Sequence, residues 1–87
     1  MSWEILTDRD FDRELKRLDR QMQRLILAKL LDLAELDDPR VRLKPLTGPL
    51  VGLWRYRVAD HRVILDVRAS EFVLVALDVG RRDSIYG

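Results

Sequence analysis

Apolar and polar positions change period once along the chain, close to residue 52. Before that point the spacing is helical. Phe11, Leu15 and Leu18 recur on one face of a predicted helix over about 8–18, and Arg9, Asp12, Arg13 and Lys16 occupy the other. Thr7 followed by Asp10 approximates a capping box, with Asp8 and Asp10 near the positive end of the helix dipole. A second helix is predicted over about 20–36, with Met22, Leu25, Ile26, Leu30, Leu33 and Ala34 as its apolar stripe. Leu27 and Leu31 widen that stripe beyond an ordinary amphipathic face, so they either complete the core or meet a partner. Asp37 and Asp38 before Pro39 end the helix, because a residue preceding proline is pushed out of the helical region. Residues 3–6 read as a short first strand.

Residues 39–52 hold all three prolines and two of the four glycines, which predicts an irregular connection. Beyond it the pattern alternates. Segments 53–58, 61–67 and 71–79 read as consecutive strands, with Ala59-Asp60 and Arg68-Ala69-Ser70 as turns, so neighbours should run antiparallel. The order strand, helix, helix and three strands predicts an α+β fold (β-α-α-β-β-β). In it a first strand and a two-helix hairpin pack on an antiparallel sheet.

A chain of 87 residues is expected to form one domain over 1–87, with a small core and a shallow site suited to a polymer or a large partner. The absence of cysteine excludes disulfides and thiol chemistry, and a single histidine, His61, excludes a multi-histidine metal centre. No apolar run reaches the ~20 residues that cross a bilayer, and the first residues lack the features of a signal peptide. A cytoplasmic protein without cofactor or metal is the expectation. The net charge of +1 conceals an asymmetry: residues 1–39 carry seven Lys/Arg against ten Asp/Glu, residues 40–87 nine against five. Eight of those nine later cations are arginines, whose planar fork suits phosphate better than the point charge of lysine.

Alternation in segment 53–58 places Trp54, Tyr56 and Val58 on one face and Arg55 and Arg57 on the other. A two-residue turn at Ala59-Asp60 then sets Arg57 directly across from Arg62. Like charges so placed destabilise a sheet, within the ~0.2–1 kcal/mol range of cross-strand pairs. Single arginines usually fan out into water or find a carboxylate, here Asp66 or Asp78. Three on one face, with Arg81 and Arg82 available from the last strand, favour an anion site, and nucleic acid is the natural anion. Trp54 and Tyr56 could stack bases, but their alternation points them at the helices and the core. His61 is suited to acid–base work, yet alternation groups it with Val63 and Leu65, away from Arg62. Glu35, Asp37 and Asp38 read as a solvated helix end.

Five features in order carry a resemblance to a known family. They are Lys44-Pro45-Leu46-Thr47-Gly48, the basic-x-basic strand around Arg55 and Arg57, Arg62 after the turn, the segment Gly80-Arg81-Arg82, and Tyr86. Together they resemble the RelE branch of the RelE/ParE toxin superfamily over nearly the whole chain, although the family often has lysines at Arg55 and Arg57. The resemblance implies a RelE-like, microbial-ribonuclease-like fold. It also implies a type II toxin, held inactive by a cognate antitoxin in a hetero-oligomer, that cleaves messenger RNA on the ribosome without metal and so inhibits translation.

Position by position, the resemblance implies Arg57, Arg62, Arg82 and Tyr86 as catalytic and Lys44, Arg55 and Arg81 as RNA-binding. Such cleavage must activate a 2′-hydroxyl, stabilise charge on phosphorus and protonate the leaving oxygen. Arginines supply charge stabilisation but cannot surrender a proton at neutral pH. Tyr86 is the candidate base, since neighbouring arginines would favour its phenolate over the ordinary pKa of ~10. Two other functions stay open: a ParE-like inhibitor of DNA gyrase on the same fold, and a catalytically inactive RNA-binding relative.

Overall fold

The computed structural model describes residues 2–81. Its elements in chain order are β1 (Glu4–Thr7), α1 (Arg9–Lys16), α2 (Arg20–Ala34), β2 (Lys44–Pro45), β3 (Trp54–Val58), β4 (His61–Arg68) and β5 (Val73–Arg81). Short 3-10 turns lie at Pro39–Arg42, Gly48–Leu50 and Ala69–Glu71. The strands form one five-stranded sheet in the order β1-β5-β4-β3-β2, and the two helices pack on one of its faces. This is the predicted α+β architecture, with two additions. The first strand joins the sheet parallel to β5, from Glu4 opposite Val73 to Thr7 opposite Ala76, so the sheet is mixed. The proline-rich connection contributes a fifth strand, β2, antiparallel to the edge of β3.

Both helices start on an aspartate. Asp8 rather than Thr7 caps α1, its carboxylate accepting from the Arg9 amide at 2.7 Å. Asp19 caps α2 by accepting from the Met22 amide at 2.8 Å. Capping by Asp19 stops α1 short of the predicted Leu18, because the cap residue must adopt extended backbone. The Leu18 carbonyl instead accepts from Gln23 Nε2 at 2.7 Å. At its far end α2 closes after Ala34, two residues earlier than predicted, where the chain turns toward Pro39.

Phe11 and Leu15 from α1 and Ile26, Leu30 and Leu33 from α2 bury against Val58, Val63, Leu65, Leu74, Ala76 and Val79 of the sheet. Each of these side chains larger than alanine, fully removed from water, contributes about 1.5–3 kcal/mol. Trp3 ties the start of the chain to this core. Its amide donates to the Ala34 carbonyl at 2.7 Å, its indole Nε1 donates to the Asp37 carbonyl at 3.1 Å, and its ring meets Phe72 edge-on at 5.4 Å. No helix among the described residues is long and apolar enough to cross a membrane.

Candidate nucleic-acid interface

The central hairpin sets the register predicted from the alternation. β3 and β4 pair with Trp54 opposite Leu65, Tyr56 opposite Val63, Arg57 opposite Arg62 and Val58 opposite His61. Trp54 and Tyr56 pack against the core, and the Tyr56 hydroxyl donates to the Lys29 carbonyl of α2 at 3.3 Å. Burial first, then the Asp32 carboxylate, pushes the Tyr56 phenol above its ordinary value, with Arg42 opposing. Both aromatics are therefore structural rather than stacking platforms.

No helix among the described residues covers the opposite sheet face, and there the cations gather. β2 brings Lys44 opposite Arg55, so a second like-charged cross-strand pair lies beside Arg57 and Arg62. Between the pairs, Ile64 stands opposite Arg55 and is only 4% exposed. Arg55 and Arg62 are themselves half-buried, as expected where the stems of guanidinium side chains lie along apolar surface. Arg62 belongs to two hollows. One of about 320 Å³ is lined by Lys44, Pro45, Leu46, Thr47, Arg55 and Arg62. The other, about 170 Å³, lies at the hairpin tip between Arg57, Asp60, His61 and Arg62.

Among the described residues, the two aspartates of the central strands, Asp66 and Asp78, are engaged away from this cluster. Asp66 accepts from Arg68 Nε at 3.2 Å. Asp78 accepts from the Val79 amide at 2.8 Å, and burial, with Glu14 and Asp10 of α1 adding to it, raises its carboxyl above the usual range. At the tip, Asp60 accepts from Arg81 Nη2 at 2.9 Å, and this hydrogen bond holds the Asp60 carboxyl below the usual range. Asp38 is likewise held low by Arg40, 2.8 Å away.

The structure thus brings together Lys44, Arg55, Arg57 and Arg62 of the residues singled out from the sequence. Arg81 is set apart from them: it lies opposite His61, on the register positions of the helix-bearing side, and reaches Asp60. Arg82 and Tyr86 lie outside the described residues. Two features escaped sequence reading. The Lys44–Arg55 pairing had no signal, since Pro45 and Gly48 mark the segment as irregular. His61, grouped by alternation with the core, lines the hairpin-tip hollow together with both central arginines.

Comparison with curated protein sequences gives no match. Among solved structures, the RelBE2 toxin–antitoxin complex of Mycobacterium tuberculosis matches with a TM-score of 0.86 at 20% identity, over 94% of this chain and 93% of that chain. The archaeal RelE–RelB complex of Pyrococcus horikoshii matches at 0.73 and 26% identity, over 94% and 97% of the two chains. A mutant of the E. coli toxin RelE in the free state matches at 0.74 and 18% identity, over 98% and 88%. The fold is therefore that of RelE toxins, whereas the family model that matches, over residues 5–86, is that of the ParE toxin of the type II toxin–antitoxin system parDE. The two names denote branches of one superfamily, and the chain belongs to the RelE/ParE superfamily of type II toxin–antitoxin toxins, in its ParE toxin family and on a RelE-type fold.

Proposed function

We propose that this toxin is a metal-independent endoribonuclease that cleaves messenger RNA on the ribosome. The carrying observation is two like-charged cross-strand pairings, Lys44 opposite Arg55 and Arg57 opposite Arg62, on the sheet face that no helix among the described residues covers. A sheet with nothing to bind gains nothing from that repulsion, whereas an RNA backbone would neutralise it. Arg57 and Arg62 bind the scissile phosphate and its developing charge, Arg55 and Lys44 hold the flanking backbone, and Arg82 acts at the phosphate or the leaving oxygen. Tyr86 takes the proton of the attacking 2′-hydroxyl. Preorganised cations of this kind are usually the largest catalytic contribution where charge develops.

A cognate antitoxin is the second partner. RelB accompanies the toxin in the Mycobacterium tuberculosis, Pyrococcus horikoshii and E. coli complexes. Leu25, Leu27 and Leu31 on α2, with Val41 and Val51 in the connection to β3, stay exposed here and offer apolar surface for it.

Brief induction in growing bacteria, followed by primer extension on cellular messages, tests the reading. Cuts within translated regions are expected from the wild type and should vanish in the Arg62→Ala, Arg82→Ala double variant. The ParE name of the family model favours a second reading, a toxin that poisons DNA gyrase. Growth arrest with intact messages and broken DNA would establish that reading instead. Arrest and cleavage both absent would leave an inactive RNA-binding relative.

A further inference from the structure

The proposed cleavage leaves one role unfilled. When the phosphorus–oxygen bond to the 5′ side breaks, the departing oxygen needs a proton, and guanidinium groups do not release one at neutral pH. His61 opens β4 at the hairpin tip, and its side chain is only 9% exposed. Its Nδ1 is sealed inside the protein and has no aligned hydrogen-bond partner among the described residues. Asp60 Oδ1 lies 3.0 Å from it, close enough for an ion pair but out of line for a hydrogen bond. The other Asp60 oxygen, Oδ2, accepts from Arg81 Nη2 at 2.9 Å, which anchors the carboxylate beside the ring. His61 is nevertheless one of the four residues that line the hollow of about 170 Å³, with Arg57, Asp60 and Arg62. A proton handed to a molecule in that hollow would have to leave from Nε2, since Nδ1 is sealed.

We infer that His61 is the general acid of the cleavage, delivering its Nε2 proton to the leaving 5′-oxygen while Asp60, tied to Arg81, holds the ring from behind. The inference rests on the ribonuclease reading and completes it. The 2′-oxygen, its proton taken by Tyr86, forms the new bond to phosphorus. The bond from phosphorus to the 5′-oxygen breaks, and the electron pair left on that oxygen takes the proton from Nε2. The products are a 2′,3′-cyclic phosphate, a 5′-hydroxyl and a neutral imidazole, which solvent reprotonates. Catalytic hydrogen bonds are often slack before substrate arrives, so the misaligned Asp60–His61 contact is the geometry expected of a ring that settles when phosphate enters.

The test programmes ribosomes with two messages, one natural and one with sulfur in place of the 5′-oxygen at the cleaved bond. Sulfur leaves as a thiolate and needs no proton. His61→Gln is compared with wild type, and His61→Phe, which keeps a flat ring in the buried position, runs beside it in case glutamine unfolds the hairpin. Thermal unfolding identifies the variant that is folded. The folded variant should cleave the natural message at least about 10²-fold more slowly than wild type, the usual contribution of a proton donor, yet cleave the sulfur message at close to the wild-type rate. Equal losses on both messages would make His61 structural and overturn the inference, as would natural cleavage at full rate. A wild-type protein that leaves both messages intact would overturn the ribonuclease reading itself, and the inference with it.

Discussion

At the scale of single residues, function and stability pull in opposite directions on the open sheet face under the ribonuclease proposal. Arg57 sits directly across from Arg62 and donates only a 3.3 Å hydrogen bond to the nearby Ala59 carbonyl. Replacing it with a β-branched, uncharged residue removes the repulsion. Arg57→Thr should stabilise the fold by about 0.2–1 kcal/mol in urea titration while lowering message cleavage. Asp78 makes a similar case through protonation. Its folded-state pKa is raised, chiefly by burial, so the folded protein holds the proton more tightly than the unfolded chain does. The ionised carboxylate therefore opposes folding, and the penalty grows as pH rises from the unfolded value toward the folded one. Asp78→Asn, which keeps an oxygen for the Val79 amide, should shift the urea midpoint upward, and by more at pH 7 than at pH 4. Asp60 has the opposite sign: Arg81 depresses its pKa, so its contribution is present at neutral pH and is lost as pH falls through the folded value.

At the scale of elements, the β3–β4 hairpin decides the geometry of the site. Its two-residue loop fixes which side chains of β3 and β4 face each other, and a slip of one residue would send Arg62 to the core face. Ala59 holds this loop at a φ of 54°, in the left-handed region where a β-carbon crowds the backbone. Ala59→Gly should relieve that strain and raise stability by about 1 kcal/mol, read from the midpoint of thermal or urea unfolding, with the arginine register unchanged. In β5 a register shift performs the complementary task. Ile64 faces Asp78 while the next residue, Leu65, faces Ala76, so Leu77 has no partner of its own. The bulge lets Leu74, Ala76 and Val79 all reach the core, which strict alternation along one strand forbids.

At the scale of the whole molecule, the chain divides its two sheet faces between stability and binding under the ribonuclease proposal. One face takes both helices and nearly all the core; the other is left to cations and shallow hollows. This division suits a small protein acting on a large substrate, because a core of this size leaves no room for an enclosed pocket. On the far side, Leu27 and Leu31 of α2 are 43% and 64% exposed, outside the core they were long enough to join. Under the antitoxin proposal, Leu27→Gln with Leu31→Gln should weaken antitoxin binding in a pull-down or calorimetric titration, with cleavage by the free toxin and its unfolding midpoint little changed. Equal affinity in the variant would place the antitoxin elsewhere.

The local pattern by itself determined the helices, the hairpin and the facing of Arg57 toward Arg62. The physical reason is that period, caps and turn length act within a few residues of one another. Phe11, Leu15, Ile26 and Leu30 could go nowhere but inward, and a two-residue loop at Ala59-Asp60 permits one register. Four features needed the tertiary structure. β1 runs parallel to β5 because the chain crosses over through both helices before returning, a pairing between residues some seventy positions apart that no local signal encodes. Lys44 joined the cation face only when the neighbouring edge of β3 captured a proline-bearing segment that reads as loop. The run Val73, Leu74, Val75, Ala76, Leu77 is apolar throughout, so only packing could decide which of its side chains the bulge turns inward. His61 reads as a core residue by alternation; it reaches the arginine site because the sheet ends at the hairpin tip, where the two faces meet around a shared hollow.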